Sequence, residues 1–281
     1  MSLNTKKPLI ICISACLGNQ LFILFAGISK AIEENRDYLI YIGSGNNGTR
    51  KFYFDTFLNH LYSKVINYNI QTDNIFMHPA HKYVSIPDNV DIIYGGFQSY
   101  KYFENNYKQI IQELNLDETK NKYNLNMKAI AIHIRLGDFL TIPNCFILPY
   151  LYYVKAINYL KNNLNDFDEY RFIIFAEKEN DKSINEYIYN INHNLNKSID
   201  FIKIYDIYPN SIDYEEFFYM SNCQHFIIAN STFSWFGAYL SNNQDKIIIH
   251  PPEYTWFSRN YAKGELENKD IFFPDWIEID C

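Results

Sequence analysis

Three short segments of this chain hold the residue types that grip anions and polar sugars. The first is His133-Ile134-Arg135-Leu136-Gly137-Asp138. His133 and Arg135 are two apart, so at a strand end they face one side. Gly137 allows a sharp turn and a close ligand. Arg135 could take two phosphate oxygens through its planar fork, or it could bridge to Asp138 and stabilise the turn; the segment alone leaves both open. The second is Asn230-Ser231-Thr232-Phe233-Ser234-Trp235. Asn, Ser and Thr favour helix N-caps. A helix start offers unpaired N–H groups and a positive dipole end to an anion, although an ordinary capped helix is the plainer reading. The third is Leu17-Gly18-Asn19-Gln20, a glycine and two amides suited to polar contacts with a sugar or phosphate. Glu177, just past an apolar run, could accept from a base or a ribose, or be solvated.

Other chemistries lack their residues. There is no Walker A lysine loop, no HExxH and no GxSxG, and the Gly18 segment falls short of GxGxxG. Asp166-Phe167-Asp168 has the carboxylate spacing of metal-dependent sugar transferases. It precedes an apolar strand instead of following one, so it reads as turn chemistry. Cys12, Cys16, Cys145, Cys223 and Cys281 have no zinc-site spacing and read as free thiols in a reducing compartment. Asn-x-Ser/Thr triplets at Asn47, Asn196 and Asn230 mean little in so Asn-rich a chain.

The elements that must position these residues alternate. In the first part, strands are expected at 9–14, 38–42 and 91–95, helices at 21–34, 52–61 and 102–114, and a loop at 43–48. Segment 117–128 is polar and weakly periodic, a linker. A second series follows: strands at 128–134, 171–176, 201–205, 225–229 and 246–250, with helices at 150–164, 182–191, 214–222 and 233–242. Alternation of this kind builds parallel sheets from βαβ units. The expectation is an α/β chain of two Rossmann-like halves facing a cleft, residues 1–124 and 125–281. Ligands in such sheets bind beyond the carboxyl ends of strands, where the first and second segments and Glu177 all fall.

Composition narrows the partners. In 281 residues, 32 acidic against 25 basic side chains leave a net charge of −7, which disfavours nucleic acid. The 25 Tyr and 22 Phe follow the codon bias of an AT-rich genome, so single tyrosines carry little site information. No apolar run approaches the roughly 20 residues that span a bilayer. Lys6-Lys7 before an apolar stretch faintly resembles a lipoprotein signal, but Pro8 and the apolar helix after Cys16 oppose that reading. A soluble, cytoplasmic protein is expected.

Four motifs, in order, resemble those of the α-1,2-fucosyltransferases, glycosyltransferase family 11. His133-Ile134-Arg135-Leu136-Gly137-Asp138-Phe139 is similar to HxRxGD followed by Tyr or Phe, and Asn230 to Leu240 is similar to NSTFSWW(G/A)AYL. Leu17-Gly18-Asn19-Gln20-Leu21-Phe22 resembles GLGNQLF, and Gly96 to Phe103 resembles GYFQSxKYF. Cys16 stands for the first Gly, Phe236 for the second Trp, and Ala176-Glu177-Lys178 for a frequent Ser-Asp-Asp. The resemblance implies a GT-B fold, an N-terminal acceptor-side half and a C-terminal half for GDP-fucose. It implies inverting transfer to an acceptor glycan hydroxyl, the 2-OH of a galactose-type residue, without metal or other cofactor. Arg135 is then the leaving-group clamp, Asp138 or His133 the base, and Asn230, Ser231, Thr232, Ser234, Glu177, Gly18, Asn19 and Gln20 the donor contacts. Rival readings are transfer of another nucleotide-linked sugar, a non-catalytic carbohydrate-binding descendant and a nicotinamide-dependent dehydrogenase.

Overall fold

The apolar runs become two sheets of parallel strands in the computed structural model of the chain. It describes residues 6–43, 51–68, 70–78, 82–142, 145–196, 198–256 and 270–281, and all elements counted below are of these residues. Most of the expected 43–48 loop and the Asn47 triplet lie outside them. The chain divides into two compact units: Met1–Thr119 with Leu266–Phe273, and Lys120–Glu265 with Pro274–Cys281. The boundary precedes the expected residue 124, because the Lys120–Tyr123 backbone is tied to the second unit. Lys120 Nζ donates to Leu240 O at 2.8 Å, and Asn222 Nδ2 donates to the Lys120 and Tyr123 carbonyls at 3.0 Å. A C-terminal piece returns to the first unit, where Phe273 stacks on Tyr100 at 4.1 Å and Asp270 pairs with Lys101 at 2.5 Å.

In the first unit, β1 (Leu9–Ile13), β2 (Tyr38–Ile42), β3 (Val65–Ile66), β4 (Ile75–Met77) and β5 (Ile92–Tyr94) pair in the order β3-β2-β1-β5-β4. β1 is buried along its length, being flanked by β2 and β5 and covered by α1 (Leu17–Glu33). Gly27 brings that helix close: a Cβ there would lie 2.5 Å from Ile11 Cδ1. The helix expected at 102–114 breaks at Phe103 (φ −144), leaving two 3-10 turns before α2 (Tyr107–Glu113); α3 (Leu116–Lys120) occupies the start of the expected linker. The helix expected at 52–61 is replaced by turns and a 3-10 helix, Asn59–Lys64. β3 and β4 are too short to show a period in sequence.

In the second unit, β6 (Ala129–His133), β7 (Arg171–Phe175), β8 (Phe201–Lys203), β9 (His225–Ile227), β10 (Ile248–His250) and β11 (Ile277–Glu278) pair in the order β11-β10-β9-β6-β7-β8. Numbered within the unit, this is 3-2-1-4-5-6 read from the other edge, the Rossmann order, and its switch point lies between β6 and β9. Helices α4 (Tyr150–Asn163), α5 (Asp181–Asn194), α6 (Ile204–Ile207), α7 (Asp213–Ser221) and α8 (Thr232–Tyr239) intervene. Ile132 and Ile174 of the strands pack with Tyr153, Ile157 and Leu160 of α4 in the core. Two Rossmann-like α/β units in one chain are the elements that a GT-B-like fold requires.

Candidate functional site

β6 and β9 are neighbours, with Ile132 opposite Ile227, so the residues after each strand emerge side by side at the switch point. Ile134 N–H donates to Phe175 O at 3.0 Å and extends the β6–β7 pairing by one residue. Arg135 then leaves the sheet. Its Nη1 donates to Glu177 Oε1 and its Nη2 to Asp138 Oδ1, and its guanidinium lies 5.2 Å from the Phe139 ring centre. These side chains are reachable: Arg135 is 22% exposed, Glu177 29% and Asp138 34%. Gly137 adopts φ +29, and a Cβ there would stand 2.5 Å from Glu177 Oε1. Only glycine gives both the turn and the space.

Beside this cluster opens α8. Ser231 sits at its N-cap in extended conformation but makes no side-chain cap hydrogen bond. Ser231, Thr232 and Phe233 are half-buried. The first-turn amides and the positive end of the helix dipole therefore meet no capping hydroxyl from Ser231.

Several expected ligand contacts turn inward instead. Ser234 is fully buried, its hydroxyl directed at the Ser231 and Ala229 carbonyls at 3.2 and 3.4 Å. Asn230 is buried, and its Nδ2 donates to Phe146 O at 2.9 Å and Thr255 O at 2.7 Å, so it ties two loops under the helix mouth. His133 is 4% exposed and packs on Phe233 at 5.5 Å. Burial, reinforced by the Arg135 charge, pushes it down to about 3. Of the two base candidates, His133 is closed off by burial, whereas a third of the Asp138 side chain is exposed.

In the first unit, Gly18, Asn19 and Gln20 lie in the first turn of α1, four residues ahead of the expected helix start. Ala15 at φ +65 turns the chain sharply, and buried Gln20 Nε2 donates to Ala15 O at 2.8 Å and Lys51 O at 2.7 Å. Gly18 and Gln20 are buried, and the Gln20 Oε1 atom has no hydrogen-bond partner there. Asn19 stays half-buried, and its Oδ1 accepts from Gln98 Nε2 at 2.7 Å, beyond the ends of neighbouring β1 and β5. The Asp166 segment lies before β7, at the opposite edge of its sheet from Arg135, where Asp166 accepts from Tyr170 at 3.0 Å and pairs with Lys128 at 3.4 Å.

Sequence reading missed two tyrosines. Tyr153 OH donates to His133 O at 3.0 Å and Tyr152 OH to Ile228 O at 2.8 Å, so the first turn of α4 pins both strand tips from below. It also missed Glu216, in the first turn of α7, which burial and the neighbouring Asp213, Glu179 and Glu215 push up to about 7. Ser211 Oγ lies 2.8 Å from Tyr208 O and 3.0 Å from Glu216 Oε1.

An arginine and a helix mouth at a Rossmann switch point place this chain among α/β proteins built like nucleotide binders. The chain belongs to glycosyl transferase family 11, whose model matches residues 45–280. It is 33% identical over 162 residues to the O-antigen biosynthesis glycosyltransferase WbnK of Escherichia coli, covering 55% of this chain and 45% of that protein. It is 29% identical over 156 residues to an alpha-1,2-colitosyltransferase of Escherichia coli, covering 54% and 48%. The chain thus spans about half the length of the curated relatives it matches. Among solved structures it is similar to the fucosyltransferase NodZ from Bradyrhizobium (TM-score 0.46, 8% identity, 84% of this chain and 94% of that one). It is also similar to the ADP-heptose heptosyltransferase II of E. coli (TM-score 0.46, 9% identity, 97% and 90%). Both likenesses are remote and carry no functional weight.

Proposed function

We propose that this protein transfers fucose from GDP-fucose to a hydroxyl of an acceptor glycan, the 2-OH of a galactose-type residue, with inversion and without a metal. The observation that carries this reading is the position of Arg135 beside the open N-terminus of α8 at the Rossmann switch point. As the bond from the sugar C1 to the diphosphate oxygen breaks, negative charge builds on the departing GDP. In this reading the guanidinium and the helix amides neutralise it, and each such group is typically worth ~3–4 kcal/mol of barrier. The acceptor oxygen attacks C1 from the opposite face and forms the new C–O bond, while Asp138 takes its proton. Ser231 and Thr232 remain the donor contacts at the helix mouth.

The test is incubation with GDP-fucose and a glycan array, followed by identification of the hydroxyl that gains the sugar. Fucose on a 2-OH, formed equally well in a chelator, supports the proposal. Glycan binding without donor turnover would make the chain a carbohydrate-binding descendant, and activity only with added Mn²⁺ would overturn the metal-free step. A colitosyl donor is the second reading, favoured by the name of one relative. A donor panel read by product mass separates the two.

A further inference from the structure

Arg135 already holds two anions. Its Nη1 is bonded to Glu177 and its Nη2 to Asp138, and one cation with two carboxylates leaves the trio at a formal −1. That sign opposes a diphosphate, and the bonded N–H groups are among those a diphosphate would use. The two carboxylates are held differently. Glu177 is held on one side: its Oε2 atom is buried without a hydrogen-bond partner, and its Oε1 occupies the space that only a glycine at 137 leaves open. Asp138 belongs to the 3-10 turn Gly137–Leu140, which begins at that positive-φ glycine, and a third of its side chain is exposed. It can leave the guanidinium toward solvent, whereas departure of Glu177 would also empty the space beside Gly137 that its Oε1 fills.

We infer that Asp138 is a latch on Arg135, exchanged for the diphosphate of the donor when it binds. The inference rests on the reading of Arg135 as the diphosphate clamp and adds an order to it. Before exchange, Asp138 Oδ1 is taken by the guanidinium and is not offered to an incoming hydroxyl. After exchange, Glu177 still holds Nη1, the diphosphate occupies Nη2, and the Asp138 carboxylate is released at the strand tip. There it accepts the acceptor's hydroxyl proton as the new C–O bond forms and GDP departs. The base is thus armed by the donor, and the acceptor reacts second.

Calorimetric titration with GDP tests this on the wild type, Asp138→Asn, Asp138→Glu and Arg135→Ala, each checked for its fold by circular dichroism. Removal of the competing charge in Asp138→Asn should tighten GDP binding about tenfold, equivalent to 1.4 kcal/mol. Asp138→Glu keeps the charge and should bind GDP within about twofold of the wild type by the same scale. Unchanged or weaker GDP binding by a folded Asp138→Asn would overturn the latch and make the pair a turn-stabilising salt bridge. If Asp138→Asn does not fold, tightening by Asp138→Ser supports the latch and unchanged binding overturns it. Arg135→Ala should lose GDP binding. If it binds GDP as the wild type does, the clamp reading itself fails, a result distinct from failure of the latch.

Discussion

Two charged clusters in this chain use the same chemistry to opposite ends. At the amino edge of the first sheet, Lys30 Nζ contacts Glu34 Oε1 at 3.1 Å and Asp88 Oδ1 at 2.8 Å, and Arg36 Nε contacts Glu34 Oε2 at 2.8 Å. Glu34 also accepts from Asn89 N–H at 3.0 Å, and Arg36 donates to Val90 O at 2.6 Å. Two cations meet two carboxylates, with Lys30, Glu34 and Arg36 buried. At the carboxyl edge of the second sheet, Arg135 meets Asp138 and Glu177, unbalanced and open to solvent. The balanced cluster, buried except for the exposed Asp88, joins the end of α1 to the start of β5. The unbalanced, open one keeps part of its capacity for something outside the chain. A buried ion pair needs every valence met, whereas a binding site needs some left over.

The sharpest way to break this contrast is a pair of substitutions. Arg135→Ala should lower turnover about 100- to 1000-fold and cost less stability than the next substitution, because its carboxylate partners are a third or nearly a third exposed. Glu34→Gln should cost about 3–5 kcal/mol of stability and leave GDP affinity of the folded protein unchanged. Urea melts and calorimetry on both variants decide, and exchanged outcomes would erase the distinction.

Acid titration sharpens it next. His133 and His250 sit near 3 and 4 in the folded protein, both mainly through burial. Their ordinary value is ~6.5, so the unfolded chain binds more protons below it. Their stability contribution is present above pH ~6.5 and lost as pH falls toward 4. Replacement of His133 by Gln should recover on the order of 3 kcal/mol of that acid loss at pH 4. Glu216 has the opposite sign: held near 7, it contributes stability at low pH that is lost as pH rises through 7. Glu216→Gln should flatten that neutral limb, read from urea midpoints between pH 5 and 8.

Gly137→Ala should cost about 1–3 kcal/mol for its positive φ and weaken GDP binding as well, because the new methyl group displaces Glu177. A stability loss without a binding loss would separate the turn from the site. The smallest effect is expected for Tyr153→Phe, about 1–3 kcal/mol for the unpaired His133 carbonyl, read by thermal melting, with GDP affinity lowered only if the β6 tip shifts.

Much of this molecule was legible residue by residue. Uninterrupted apolar runs such as 9–13, 129–132 and 172–175 announce buried parallel strands, because both faces of such a strand meet helices. Alternation with helices then sets the α/β class, and Arg135, Asp138 and Glu177 fall beyond strand ends by chain order alone. Side-chain direction was not legible. Asn230, Ser234, Gly18 and Gln20 have the residue types of ligand contacts, yet packing turns them to the protein's own carbonyls or buries them. Tyr152 and Tyr153 gained their role because α4 passes beneath two strand tips from distant parts of the chain. Which amides face outward, and that a single guanidinium already carries two carboxylates, depend on contacts between segments far apart in sequence, which local pattern does not encode.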